Sequence, residues 1–565
     1  MKIERKRIFR LMLILPFLFG TLAVNAQSDY TGKSAATRTY AITNASIVQS
    51  PGAVMEGGTI IVKNGLISAV GKNVSIPDDA EVLDGTGMYV YAGFIDGMSN
   101  VGTKRPKAMP RPSNLFTPDP PNDYAGITPE IHVVDQIDIS SSTISDMRKA
   151  GFTIAHTVPY GRMLPGSGAL IFLADKDHPD DLILAENVAM FSQFVGAPGA
   201  YPGNILGIMA KWRNLYRNAD NAMKHTIMYS ENPSGLERPN RDRTLEAFFP
   251  VVAGEKPVFF NVQNMLDVRR AMRLQKDLGF KIAVANVKQG WEMAEELKQN
   301  GATVFLSMDL PDEPKESKSE DKTEEVKQLE ARKMDFYKKY VSQAATYQAA
   351  GVPFGFSTMG TRGNKVKTNM MTMIENGLSA DDALAALTTG PASLLGIDKV
   401  AGTAEVGKLG NLVVTTGPYF EKKSQVKYVF VDGDKYDYEI KEAKKKGDEA
   451  VDEPAADTSN EPLLGSWSYN FTTPQGDQGG KMIIKKAGAL YTGVMTSDDG
   501  SPDTDMEDIS FRDGTLSFSF SVDGGGQNIE ILVSGTVSGK NYDAQASVEA
   551  FNVSFDLTAT KDDGN

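Results

Sequence analysis

"PVFFNVQNMLDVRRAMRLQKDLGFKIAVAN" (Pro257–Asn286) holds two short apolar runs either side of an amphipathic stretch. The outer runs, "PVFFNV" and "FKIAVAN", have the length and residue types of strands. Between them, "MLDVRRAMRLQKDLG" carries its apolar residues at helical spacing. A strand, a helix and a second strand in this order predict parallel strands buried on both faces. The alternation extends through "YVYAGFID", "FTIAHTV", "GALIFLA", "ATVFLSM" and "VPFGFS", with helical segments such as "GWEMAEELKQNG" between them. Residues 91–400 therefore suit a (β/α)₈ barrel in an α/β chain. A doubly wound sheet is the competing architecture, because periodicity alone does not separate the two.

The flanks read differently. Strand-like runs at residues 39–90 include Asn64-Gly65 between two apolar segments, a strong hairpin signal. "GKLGNLVVTTGPYF" and "QVKYVFVDGDKYDYE" return to strands, so residues 39–90 and 401–437 are expected to form one small composite β-domain. Ser379-x-x-Asp382 resembles a capping box, and Pro391 and Gly396 suit the start and end of the helix after it. The charged stretch 312–340 is expected to be a loop followed by a helix with a solvated face. Residues 438–462 read as a linker. Residues 463–561 read as an antiparallel β-sandwich or small barrel, with Leu516, Phe518, Phe520 and Val522 alternating with serines.

The N-terminus reads as a signal peptide over residues 1–26. A basic start (Lys2, Arg5, Lys6, Arg7, Arg10) precedes "LMLILPFLFGTLAV" and the small-residue end "VNA". That apolar run is short for a membrane span. No cysteine is present, which excludes disulfides and an N-terminal lipid-bearing Cys. A periplasmic or secreted protein with no membrane span in its mature form is expected. The formal net charge is -13, and removing the basic leader leaves -17. That balance argues against nucleic acid and anionic membranes as partners.

Several segments together resemble the amidohydrolase superfamily, nearest to imidazolonepropionase-like and related secreted bacterial members. "YVYAGFID" resembles the family's first barrel strand, with Ala92 where a Pro is usual. "AGFTIAHTVPYGRMLPGSGALIFL" resembles its second βα region, and "LTTGPASLLGI" its late helix. "AGTAEVGKLGNLVV" resembles its closing motif, with Gly410-Asn411 where Ala-Asp is usual. The resemblance implies a metal site at the strand ends: His-x-His, two further His and an Asp. Carried across, those places hold Met98, Asn100, Asn261, either Ala285 or Asn286, and Met359. None is a normal ligand for zinc or a similar divalent ion. The expectation is a lost metal, no cofactor, and no metal-activated water.

Other candidates are few. His156 lies near the end of a strand, where a packed histidine and a pocket residue both fit. Asp309 follows "VFLSM", where a turn cap and an acid/base role with Asp96 compete. Asp96 itself is expected to make local hydrogen bonds. His132, His178 and His225 read as structural or surface residues. "LPGSGA" (Leu164–Ala169) reads as a tight βα turn rather than a phosphate cradle. Met98, Met359 and His156 could offer Cu(I) soft ligands, although Met usually fills space.

Three functions compete on these residues. One is a metal-free barrel kept for binding a small molecule, or for pairing with an active homologue or with itself. Another is a hydrolase of non-peptide C–N bonds with a non-standard site at His156 or Asp309. The last is a binding protein working through its C-terminal β-domain, with Trp467 as a surface platform.

Overall fold

The computed structural model describes residues 38–106, 114–314, 323–440 and, with short breaks, 463–562. The signal-peptide reading and most of the linker reading fall outside these residues, as does the first part of the charged loop.

The segment that opened the sequence reading folds as a strand–helix–strand unit. Strand β10 (Val258–Asn261) leads to a helix over Met265–Leu278 and then to β11 (Ile282–Val287). The Asn264 side chain caps the helix by accepting from the Asp267 N–H, and Gly279 ends it at φ 86°. Its buried face is Val268, Ala271, Met272 and Leu274. The two strands pair in parallel.

Eight strands in chain order make the barrel sheet. They are β6 (Phe94–Ser99), β7 (Phe152–Thr157), β8 (Gly166–Phe172), β9 (Ile183–Gln193), β10, β11, β12 (Thr303–Ser307) and β13 (Gly355–Ser357). A TIM-type barrel is therefore the architecture, and the doubly wound alternative is excluded by the sequential strand order. One element departs from the ideal. Strand β8 runs antiparallel to both β7 and β9. The stretch expected to be a second βα region is thus a β-hairpin, because only the loop 158–165 separates β7 from β8 and leaves no room for a crossover helix.

Ring packing fills the barrel's interior. Phe259 and Phe305 stack at 5.7 Å, and His156 meets Phe259 edge-on at 4.5 Å. Glycines make the space. A Cβ on Gly97 would fall 2.0 Å from the Phe305 ring, and one on Gly168 would fall 2.5 Å from His156 Nε2.

The backbone ladder ends at β6 and β13, and side chains close the seam between them. Asp96 Oδ1 accepts from Thr358 N at 2.9 Å and from Met98 N at 3.2 Å, and Oδ2 accepts from Thr358 Oγ1 at 2.7 Å. Ser357 Oγ donates to the Met98 carbonyl at 2.6 Å. Asp96 is fully buried. Its bonds are therefore not merely local: they join residues 262 positions apart.

The flanks share one sheet. Strands β14 (Leu412–Thr415), β15 (Val426–Val431) and β16 (Asp434–Asp437) join β1 (Thr39–Ser50), β2 (Ala53–Lys63) and β3 (Leu66–Gly71) through β5 (Tyr89–Ala92). Asn64 and Gly65 turn the β2–β3 hairpin with φ 51° and 78°. Gly410 is small for a reason: a Cβ there would meet Val62 at 2.4 Å. Asn411 Oδ1 accepts from the Asp432 N–H. Ser379 Oγ caps the helix Ala380–Leu387 at the Asp382 N–H, and Gly396 (φ 73°) follows the next helix, Thr389–Leu394.

The helix in the charged region spans Glu324–Val341. Val326 and Leu329 on it are exposed, so its apolar spacing does not mark a core face. A cavity of about 300 Å³ lies between this helix and the loop before it, lined by Pro311, Pro314, Phe336 and Tyr337.

Eight antiparallel strands, β17 (Gly465–Thr473) to β24 (Val553–Lys561), close into a separate barrel. Leu516, Phe518 and Phe520 are buried together with Trp467 and Tyr542. A small barrel is thus the outcome, and the open sandwich is excluded by the β17–β24 pairing. Trp467 is fully buried and donates to the Leu463 carbonyl, so it is no surface platform.

The seam yields a prediction. Asp96→Ala deprives the buried Thr358 N–H and hydroxyl of their acceptor and is expected to cost roughly 2–5 kcal/mol of stability. Thr358→Val removes only one donor and should cost less. Denaturant unfolding of both variants measures the order, and equal losses would contradict it.

Candidate functional site

The C-terminal ends of the barrel strands bring most of the sequence-predicted positions together. Met98 is fully buried in an apolar cluster with Val158, Phe191, Phe259, Ala283, Ala285 and Phe305, and half-buried Met359 packs against the same cluster. The space expected to be a metal cavity lined by two methionines is therefore occupied by rings and aliphatic groups. Packing of this kind is what thioether side chains do well.

Amides form a row beside this cluster. Gln193 Nε2 donates to the Gly161 carbonyl at 2.6 Å. Gln193 Oε1 accepts from Asn261 Nδ2 at 3.0 Å, and Asn261 Oδ1 accepts from Asn286 Nδ2 at 3.1 Å. A carbonyl only accepts, so Gly161 fixes the direction of the whole row. The row ends on Asn286 Oδ1, which is buried and has no hydrogen-bond partner among the described residues. Asn286 also holds a left-handed backbone, φ 57°, where the β11–β12 register shifts. That conformation costs a non-glycine residue roughly 1–2 kcal/mol. Between the two candidates in this strand, Asn286 joins the polar row and Ala285 faces the apolar cluster. Asn100 stands apart from the row, with Nδ2 donating to the Val158 carbonyl at 2.7 Å.

His156 is fully buried. Its Nδ1 lies 3.0 Å from the Gly97 carbonyl, so that nitrogen carries the proton, and among the described residues Nε2 has no partner. Burial pushes its pKa down to about 4, against a weaker opposing pull from the Gly97 hydrogen bond. The imidazole is neutral at ordinary pH. Nε2 faces Gly168 on β8, on the far side of the ring from Gly97, which follows Asp96 and precedes Met98. His132 and His178 are exposed, and His225 is half-buried on the helix Ile205–Glu231.

Asp309 and Asp96 do not meet as an acid/base pair. Asp96 is held by Met98 and Thr358, whereas Asp309 pairs with Lys288 at 2.5 Å. Burial raises the Asp96 pKa, and the hydrogen bonds from Ser99, Thr358 and Met98 oppose the rise. Leu164–Ala169 is no phosphate cradle, since Gly166–Ala169 belong to strand β8.

A divalent-metal site does not fit these residues. Among the described residues no group of three or more His, Cys, Asp or Glu side chains is placed to hold an ion. The amide oxygen of Asn261 and the amide nitrogens of Asn100 and Asn286 are spent on protein partners. Thioethers suit only soft ions, and His156 Nε2 is turned toward β8 rather than toward Met98.

Sequence reasoning missed Gln193, Lys288 and Arg162. Gln193 closes a long strand with no motif around it, and Lys288 and Arg162 are single cations in loops. What joins them to the site is register and loop geometry, which leave no mark on spacing.

An amidohydrolase family profile matches residues 253–435. Among solved structures, an amidohydrolase from Thermotoga maritima MSB8 superposes with a TM-score of 0.59 at 21% identity, covering 71% of this chain and 100% of that one. A prolidase complexed with N-methylphosphonate-L-proline gives 0.42 at 16%, covering 71% and 100%. A molinate hydrolase gives 0.41 at 14%, covering 71% and 95%. No curated protein matches at the level of sequence.

The buried imidazole sets a pH dependence. An unfolded His titrates near 6.5 and the folded one near 4, so the unfolded state takes up the proton first as pH falls. Stability is complete above pH 6.5 and declines toward pH 4, by at most roughly 3 kcal/mol from this group. His156→Asn can keep a donor to Gly97 without the titration. Its melting temperature should fall less than the parent's over that range, and parallel curves would refute the assignment.

Proposed function

We propose that this chain, whose residues 253–435 match the amidohydrolase family profile, is a non-catalytic member of that superfamily, exported to the periplasm or secreted, whose barrel mouth binds a small molecule in place of holding a metal. One observation carries the reading. The positions that the resemblance sets against the family's metal ligands hold Met98, Asn100, Asn261, Asn286 and Met359, and each of these side chains is engaged with neighbouring protein groups. Buried His and carboxylate ligands are tolerable around a cation and costly without one. A neutral set of amides and thioethers removes that cost, and the hydrogen-bonded row keeps the mouth polar enough for recognition.

Export rests on the basic and apolar start and the small residues before Gln27. Assembly with an active homologue, or with a second copy, would be a second use of the same scaffold, since fold does not fix function.

Metal analysis of the purified mature chain tests the reading. The expected outcome is less than about 0.1 equivalent of zinc, iron or manganese, and no hydrolysis of N-acyl or cyclic-amide substrates with zinc added. Stoichiometric metal that is lost in Asn261→Ala, or turnover that is lost in His156→Asn or Asp309→Asn, would defeat it. N-terminal sequencing of the exported chain is expected to begin at Gln27.

A further inference from the structure

The helix Glu324–Val341 carries Arg332, Lys333, Phe336 and Tyr337 on one face, since residues three and four apart are neighbours on a helix. That face and the loop after β12 enclose the cavity of about 300 Å³. Pro311 and Pro314 supply the facing wall, and Asp312 lines the cavity from the same loop. Its volume is at the small end of ligand pockets. The cavity shares no lining residue with the amide row or with the apolar cluster around Met98, so it is a place apart from the barrel mouth.

The aromatic wall is held from behind. Phe336 meets Trp291 edge-on at 5.6 Å and Tyr340 at 6.2 Å. Tyr340 is buried and donates to the Asp309 carbonyl at 3.2 Å. Phe336 is nevertheless 42% exposed. A ring fixed by two others and open toward two prolines offers a flat apolar slot. Rings pack well in such a slot, face to face or edge to face.

Charge divides between the walls. Arg332 and Lys333 stand on the helix, one turn before the two rings, and Asp312 stands on the loop. Among the described residues none of these three forms an ion pair. Burial raises the Tyr337 pKa, and the carboxylates of Glu313, Asp312 and Glu375 add to the rise, so the acidic side lies toward the Tyr337 hydroxyl. Opposite charges thus face one apolar cavity without neutralising each other.

We propose that this cavity binds a small zwitterion bearing an aromatic ring, of the class of free aromatic amino acids. The ring enters between the prolines and Phe336. The ligand's carboxylate meets Arg332 and Lys333, and its ammonium meets Asp312. A zwitterion has no net charge, so the chain's formal charge of -13 does not repel it as it would an anion. The inference goes beyond the reading of the barrel mouth and stands whether or not the mouth holds a metal.

The probe is L-phenylalanine, titrated into the full mature chain. Trp291 reports on the site, because it touches Phe336 while Trp212 and Trp467 are fully buried elsewhere. L-Phenylalanine at up to about 20 mM is expected to change Trp291 emission and to raise the melting temperature. Phenethylamine lacks the carboxylate and 3-phenylpropionate lacks the ammonium, so each should bind roughly two- to fivefold more weakly. L-Alanine lacks the ring and should give no response. The double substitution Arg332→Gln, Lys333→Gln should bring L-phenylalanine down to the level of phenethylamine. It alters exposed side chains and should melt close to the parent. Phe336→Ala removes one wall and should weaken binding by roughly tenfold or more. Binding of phenethylamine as tight as that of L-phenylalanine in the parent would overturn the proposal. So would a full response in Phe336→Ala, an emission change that survives Trp291→Phe, or no response to L-phenylalanine. Concentration-dependent dimers that Phe336→Ala dissolves would also overturn it, by giving the cavity to a second copy of the chain.

Discussion

The buried carboxylate of Asp96 is the constraint on which the barrel depends. Eight strands form a sheet whose ladder stops at β6 and β13, and Asp96 joins those ends by accepting from Thr358 N and Thr358 Oγ1. The third donor, Met98 N, bends the chain directly after the carboxylate. A buried acid is tolerable only where donors replace the water it lost. Donors from Thr358 and Met98 at 2.7–3.2 Å do so here, joined by the Ser99 side chain.

That arrangement sets the terms for the rest of the interior. With Asp96 satisfied by the protein, the neighbouring positions have no charge to balance. Met98 can be wholly apolar, and Phe259 and Phe305 can stack across the lumen because Gly97 and Gly355 carry no side chain to meet the Phe305 ring. His156 fits the same environment as a neutral ring, with Nδ1 on the Gly97 carbonyl and its edge against Phe259. At the rim Gln193, Asn261 and Asn286 bond to one another and Lys288 pairs with Asp309. The left-handed backbone at Asn286 is a local cost accepted at that rim.

The sequence was most legible where a local rule decides structure. Asn64-Gly65 named its hairpin because both residues tolerate positive φ. Ser379 marked the start of one helix and Gly396 the end of the next by capping chemistry. The alternation in "LSFSFSV" marked which side of a strand is buried. It was least legible where an apolar run fits two topologies. "GALIFLA" reads as a strand either way, and only the short loop before it, folded back on β7, makes β8 antiparallel. The helix Glu324–Val341 has the solvated face expected of its charges, with Val326 and Leu329 exposed on it.

By itself the sequence determined that the chain carries an α/β barrel framework flanked by β-structure, and that Met98, Asn100, Asn261 and Met359 at its strand ends are neutral side chains. Both follow from residue type and spacing, which act over a few residues. The tertiary structure alone decided that Asp96 reaches Thr358, that Asn286 rather than Ala285 joins Asn261, and that Gln193 reaches the Gly161 carbonyl. These contacts join residues that the chain separates by tens to hundreds of positions. Barrel closure and strand register bring them together, and neither is written in any local pattern.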